Sequence, residues 1–155
     1  MPPKFTEDTI EQAALSWLEE LGYQHLFGGD IAPGEPAAER ADYREVVLQD
    51  RLRAALAKIN AHIPNPIRAG ALDEALRKVL RTESQNPVAN NHAFHRLLTD
   101  GVDVAYRLGG QIVHDKVWLV DFAQPTANDW LVVNQFTITD VNARSRAKTN
   151  RRPDV

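Results

Sequence analysis

The sequence predicts an α/β domain, α+β-like within this stretch, in which helices come first and a small mixed β-sheet follows, incomplete at its C-terminus. Three observations carry that expectation. Apolar residues recur at helical spacing in the N-terminal two-thirds, between recognisable start and stop signals. The segments 102–108, 116–122 and 130–139 are instead rich in β-branched and aromatic residues and are punctuated by Gly109-Gly110 and Pro125. A chain of 155 residues, 43% hydrophobic and 25% charged, is long and apolar enough to bury one core.

Taken in order, Thr6 is placed to cap a helix that opens with Glu7 and Asp8, whose negative charges suit its positive end. Ile10, Ala14, Trp17, Leu18 and Leu21 follow at helical spacing, and Gly22 closes the helix. Residues 24–40 read as loop, with Gly28-Gly29, Pro33-Gly34 and Pro36. A second helix is expected over 42–60, with Tyr43, Val46, Val47, Leu52, Leu56 and Ile59 on or near its buried side, ended by Pro64 and Pro66. A third fits 72–80 and a fourth 90–98, stopping near Asp100-Gly101. The first strand, 102–108, should turn at Gly109-Gly110 into a short partner near Ile112-Val113, and further strands fit 116–122 and 130–139. No internal repeat is visible. The sequence ends Arg151-Arg152-Pro153-Asp154-Val155, where nothing signals the end of a domain, so the pattern reads as a fragment.

Composition excludes several classes. There is no run of eighteen apolar residues to span a membrane and no apolar N-terminal leader. With no cysteine, disulfides and thiolate metal sites are ruled out, and a cytoplasmic setting is expected. A GxxxxGK[ST] loop is missing, so this stretch is not expected to bind ATP, and there is no GxSxG elbow. Net charge is −3, yet Arg144, Arg146, Lys148, Arg151 and Arg152 place five cations within nine residues. That cluster is either a DNA phosphate contact or a solvated tail.

Two carboxylates stand out. On a helical wheel anchored at Ile10, with about 100° per residue, Glu11 falls near 100° and Glu7 near 60°, both toward the apolar side. A carboxylate there is costly unless it is paired, binds a metal or reaches water from the edge. Glu7 lies in the first turn, where the helix dipole accounts for it, so it ranks second. Asp154 follows Pro153 and would open a strand, where it can offer a hard oxygen to Mg²⁺. That ion takes one or two protein carboxylates plus waters and substrate phosphate, so Glu11 and Asp154 form an incomplete set of this kind. His92 and His95 can share a helix face, but no further ligand repeats their spacing, and they read as packing residues.

The stretch from Thr6-Glu7 through Glu11 to Trp17-Leu18-Glu19-Glu20-Leu21-Gly22-Tyr23 resembles the opening helix of the restriction (R) subunits of type I restriction–modification enzymes. Its carboxylate-to-Gly-Tyr spacing is similar to that of the wider PD-(D/E)xK nuclease group. Four further stretches resemble the same subunit: Gly28 to Gly34, Asn90 to Val102, Trp118 to Phe122, and Asn128 to Phe136, before the run Asn150 to Val155 into the Pro-Asp motif. The long stretches through Phe94 and Trp130 are specific; the Pro-Asp and helix-glutamate patterns are not.

The resemblance implies a restriction-endonuclease-like fold, with residues 1–155 forming the N-terminal part of the R-subunit endonuclease domain. It implies that Asp154 is the metal-binding aspartate and Glu11 the helix glutamate, with Glu7 second. The family continues into a strand bearing Glu-x-Lys, then into motor domains that use ATP to pull DNA and a region that docks on the modification complex. The implied activity is Mg²⁺-dependent cleavage of unmodified double-stranded DNA, with modification (M) and specificity (S) subunits as partners, and the 155 residues alone are expected to be inactive. The rival reading is a non-catalytic remnant that binds DNA or the complex as a scaffold.

Overall fold

Thr6 caps the first helix as its side chain suggests, accepting a hydrogen bond from the Thr9 amide at 3.3 Å. The computed structural model describes residues 6–81, 84–141 and 148–151. Their elements run α1 (Glu7–Glu20), β1 (Gln24–Phe27), α2 (Gln49–Ile59), α3 (Asn65–Leu80), α4 (Pro87–Asp100), β2 (Val102–Leu108), β3 (Gln111–Val117), β4 (Leu131–Asn134), β5 (Ile138–Val141) and β6 (Lys148–Arg151). The α/β class stands, with most strands after the helices. The strands form three two-stranded ladders: β1 parallel to β4, β2 antiparallel to β3, and β5 antiparallel to β6.

The chain divides into two compact units. The first combines Met1–Leu48 with Asp129–Val155; the second is Gln49–Asn128. The second unit holds an apolar core of Leu56, Ile63, Ala71, Leu72, Ala75, Leu76, Val102, Val104 and Val117. It is built by α2 and α3 packing on each other and by α3 against the β2–β3 hairpin. Gly109 and Gly110, at φ +59° and +84°, make the hairpin turn in a conformation that disfavours other residues. Asn60, fully buried at the end of α2, donates to the carbonyls of Leu56 and Trp118 and accepts from the Trp118 amide. One side chain thus satisfies both backbone groups of Trp118.

Several expectations need correction. Residues 42–48 are not helical, and Tyr43 and Val46 are exposed. Asp42 captures the Arg44 amide at 2.8 Å and its guanidinium, while Glu45 accepts from the Ala41 amide, so side chains compete with the helix for the backbone. Pro66 does not merely end a helix: it lies in the first turn of α3, where a missing amide costs nothing, so that helix begins at Asn65 rather than near Leu72. The hairpin partner is the longer β3, and 118–124 is not a strand. There Asp121 accepts from the amides of Ala123 and Gln124, and Asn128 pairs with both backbone groups of Asp121, which fixes a loop. The strand expected over 130–139 breaks into β4 and β5 around Gln135, which stands at φ +54°. Finally, residues 24–27 are a strand rather than loop.

Candidate active site

The parallel β1–β4 pair organises the first unit. Gln24, His25, Leu26 and Phe27 pair with Leu131, Val132, Val133 and Asn134. Tyr23 and Trp130 stack before the ladder, their ring centroids 5.6 Å apart, and the Gln24 amide donates to the Trp130 carbonyl at 2.8 Å. At the far end the two chains close on each other. The Gly28 amide donates to the Asn134 carbonyl at 2.8 Å, and a Cβ at Gly28 would lie 2.5 Å from the Gln135 carbonyl oxygen. Only glycine permits that approach. Gln135 then turns the chain through the left-handed region, which a non-glycine residue adopts only where its surroundings hold it.

Glu11 meets this corner from α1. The buried side of that helix carries Glu11, Leu15 and Leu18, one turn apart; Leu15 is fully enclosed and Glu11 half-buried. Ile10, Trp17 and Leu21, expected inside, are 61%, 66% and 73% exposed. Glu11 therefore turns inward although three residues of the apolar stripe used to infer that direction are exposed, Ala14 and Leu18 being its half-buried members. Asn134, 7% exposed, donates from Nδ2 to Glu11 Oε1 at 2.7 Å. Gln135 Nε2 lies 3.4 Å from both Glu11 oxygens, a weak contact. Asn134 Oδ1 lies 2.9 Å from His25 Nε2, and His25 Nδ1 lies 3.2 Å from Glu19 Oε1.

Beyond Gln135, Phe136 is covered by a buried guanidinium. Arg40 Cζ sits 3.8 Å from the Phe136 ring centroid and 5.2 Å from that of Tyr43, and Nη1 donates to the Glu45 carbonyl. Nε and Nη2 of Arg40 are buried without a hydrogen-bond partner. Burial lowers the Arg40 pKa, against the raising effect of Tyr43 and Glu45. Stacking from both rings compensates in part for the missing hydrogen bonds.

Of the residues singled out in the sequence, Glu11 faces the corner and Glu7 lies exposed in the first turn of α1. Asp154, Arg144, Arg146 and Arg152 lie outside the described residues; Lys148 and Arg151 belong to β6, with Arg151 exposed. Among the described residues no three His, Asp or Glu side chains converge as a metal site. Asn134, Gln135 and His25 were not singled out for any role. The signal was available for two of them, because Asn134-Gln135 interrupts an otherwise apolar run from Trp130 to Phe136.

The family model for the type I restriction enzyme R protein N terminus matches residues 4–155. The chain belongs to that family. Among its relatives, the type I restriction enzyme HindI endonuclease subunit of Haemophilus influenzae is 34% identical over 149 residues, covering 96% of this chain and 13% of that protein. The putative type I restriction enzyme MjaIXP endonuclease subunit of Methanocaldococcus jannaschii is 31% identical over 157 residues, covering 98% of this chain and 14% of that one. This R-protein N-terminal region thus spans about one-seventh of the length of the curated relatives it matches. No solved structure matches it. No helix among its described residues is long and apolar enough to cross a membrane.

Proposed function

We propose that this chain is the N-terminal, nuclease-bearing part of an R subunit that hydrolyses phosphodiester bonds of unmodified double-stranded DNA. The observation that carries the reading is Glu11, a half-buried carboxylate turned toward the carboxyl end of a parallel strand in a chain of this family. Functional groups gather at the carboxyl ends of parallel strands. Glu11 fits a hard divalent cation: Oε1 takes the short bond from Asn134, whereas Oε2 meets, among the described residues, only the long contact from Gln135 and keeps lone pairs for another partner.

Glu11 and Asp154 are the two carboxylates that would hold Mg²⁺, Asp154 by its match to the Pro-Asp motif of the family. When bound, the ion neutralises charge on the phosphoryl transition state and lowers the pKa of an attacking water. Arg144, Arg146, Lys148, Arg151 and Arg152 supply positive charge for DNA phosphates. The 155 residues contain no Glu-x-Lys, and on this reading they should not cut DNA by themselves. Cleavage belongs to the whole R subunit, with ATP driving translocation in its motor domains and M and S subunits as partners.

The test is made on the assembled complex, measuring plasmid cleavage and ATP hydrolysis together. Glu11→Ala and Asp154→Ala should each lower cleavage by about a hundredfold or more, the scale for removing a group that stabilises transition-state charge, with ATP hydrolysis retained. Unchanged cleavage removes the residue from the site. Loss of both activities makes it a support of the fold.

A further inference from the structure

We infer that Asn134 and His25 are positioning residues for the Glu11 carboxylate, joined to it in one directed line of hydrogen bonds across β1, β4 and α1. The inference rests on the reading of Glu11 as a metal-facing carboxylate and adds the residues that aim it.

The direction of the line follows from what each group can do. An ionised carboxylate only accepts, so the Asn134 atom 2.7 Å from Glu11 Oε1 must be the amide nitrogen. That choice turns Oδ1 toward His25, so His25 Nε2, 2.9 Å away, must carry the hydrogen that Oδ1 accepts. A flipped amide would set its oxygen against the carboxylate, a repulsive contact, and its nitrogen against the Nε2–H of His25. The Nε2–H form of His25 thus matches the amide face that Glu11 requires of Asn134. Glu19 Oε1 lies 3.2 Å from His25 Nδ1, a contact that becomes a hydrogen bond only when that nitrogen also carries a hydrogen.

Backbone geometry keeps the line in register. His25 pairs with Val132, and Asn134 is two residues further along β4, on the same side of the strand. The Gly28 amide bond to the Asn134 carbonyl anchors the backbone that carries the amide. Glu19 and Glu11 stand on the same helix, so the line leaves α1 at one turn, crosses both strands and returns at another. Such a circuit can orient Glu11 Oε1 and leave Oε2 for the cation. Residues that orient a ligand in this way are worth about tenfold to a hundredfold in metal affinity.

Mn²⁺ is the probe, titrated into the full-length R subunit without DNA or nucleotide and followed by the electron paramagnetic resonance of the free ion. The relevant site is the binding lost on Glu11→Ala, and thermal unfolding accompanies every variant. Asn134→Leu and His25→Phe should weaken that site about tenfold, while His25→Gln, whose amide can reproduce the Nε2 donor, should stay within about threefold of the parent. If both truncating variants bind Mn²⁺ like the parent while Glu11→Ala does not, the positioning role is wrong and the reading of Glu11 survives. If Glu11→Ala itself binds like the parent, that reading falls and this inference with it. If His25→Gln is as weak as His25→Phe, the ring's packing rather than its hydrogen bond matters, and the line ends at Asn134. Should the enclosed Asn134 not tolerate leucine, the half-exposed His25 pair still decides the outcome.

Discussion

The two units of this chain are held in opposite ways. Gln49–Asn128 is an apolar construction: nine enclosed aliphatic residues from two helices, the link between them and a hairpin, with Asn60, the one fully buried polar side chain among its described residues, matched to backbone partners. The unit of Met1–Leu48 and Asp129–Val155 has few enclosed aliphatic residues among those described, namely Leu15, Ile31, Ala32 and Val132. Its interior is crossed instead by Arg40, Asn134 and the half-buried Glu11. Polar groups inside a protein stabilise little net of desolvation, but they fix geometry. The comparison teaches that apolar burial is concentrated in one unit and fixed polar geometry in the other.

The largest effect should come from the apolar unit. Leu56 is fully enclosed, and Leu56→Ala should lower stability by about 2–5 kcal/mol through lost burial and the cavity left behind. Denaturant unfolding measures it, and a loss below 1 kcal/mol would break the contrast. A smaller effect is expected at the polar corner. Gly28→Ala places a methyl group 2.5 Å from the Gln135 carbonyl oxygen, where backbone must shift, so about 1–3 kcal/mol should be lost. The same shift moves Asn134 and Gln135, so Mn²⁺ affinity should fall with it. An alanine that is accommodated with both properties unchanged would show that the corner is loose.

The smallest effect is a pH dependence in the hairpin of the second unit. Tyr106 donates to Asp115 Oδ2 at 2.7 Å, the Lys116 amide to Oδ1 at 2.7 Å, and His62 lies 3.6 Å away. The Tyr106 hydrogen bond first, then the Lys116 amide and His62, hold this carboxyl below the usual range against the opposing effect of burial. A depressed folded pKa adds stability above the unfolded value of about 3.9 that is lost as pH falls through the folded value. Asp115→Asn should therefore flatten the acid limb of the stability profile below about pH 4 and leave that of the first unit unaltered. An unchanged acid limb would remove Asp115 from the account.

What was legible in the sequence divides along similar lines. Local signals were sound: Thr6 and Gly22 bound α1 as their chemistry suggests, and Gly109-Gly110 turns the hairpin. Long-range pairing was not legible. β1 has four residues, begins with Gln24-His25 and runs into Gly28-Gly29, and its partner lies more than a hundred residues away, so nothing nearby marks it as a strand. Residues 42–48 keep helical apolar spacing, yet Asp42 and Glu45 tie up the backbone. At the candidate site, Glu11 stands out from its place on the wheel and from the resemblance, whereas Asn134 and His25 acquire meaning only when the parallel ladder sets them side by side.

The central claim is that Glu11 serves chemistry and not the fold. Glu11→Gln tests it most directly, since the amide keeps the shape and can still accept from Asn134 while losing the charge. In the assembled complex, with unfolding followed on the same preparation, stability should stay within about 0.5 kcal/mol of the parent while Mg²⁺-dependent cleavage of plasmid disappears. Cleavage that persists, or that falls only in step with a loss of folded protein, would contradict the claim.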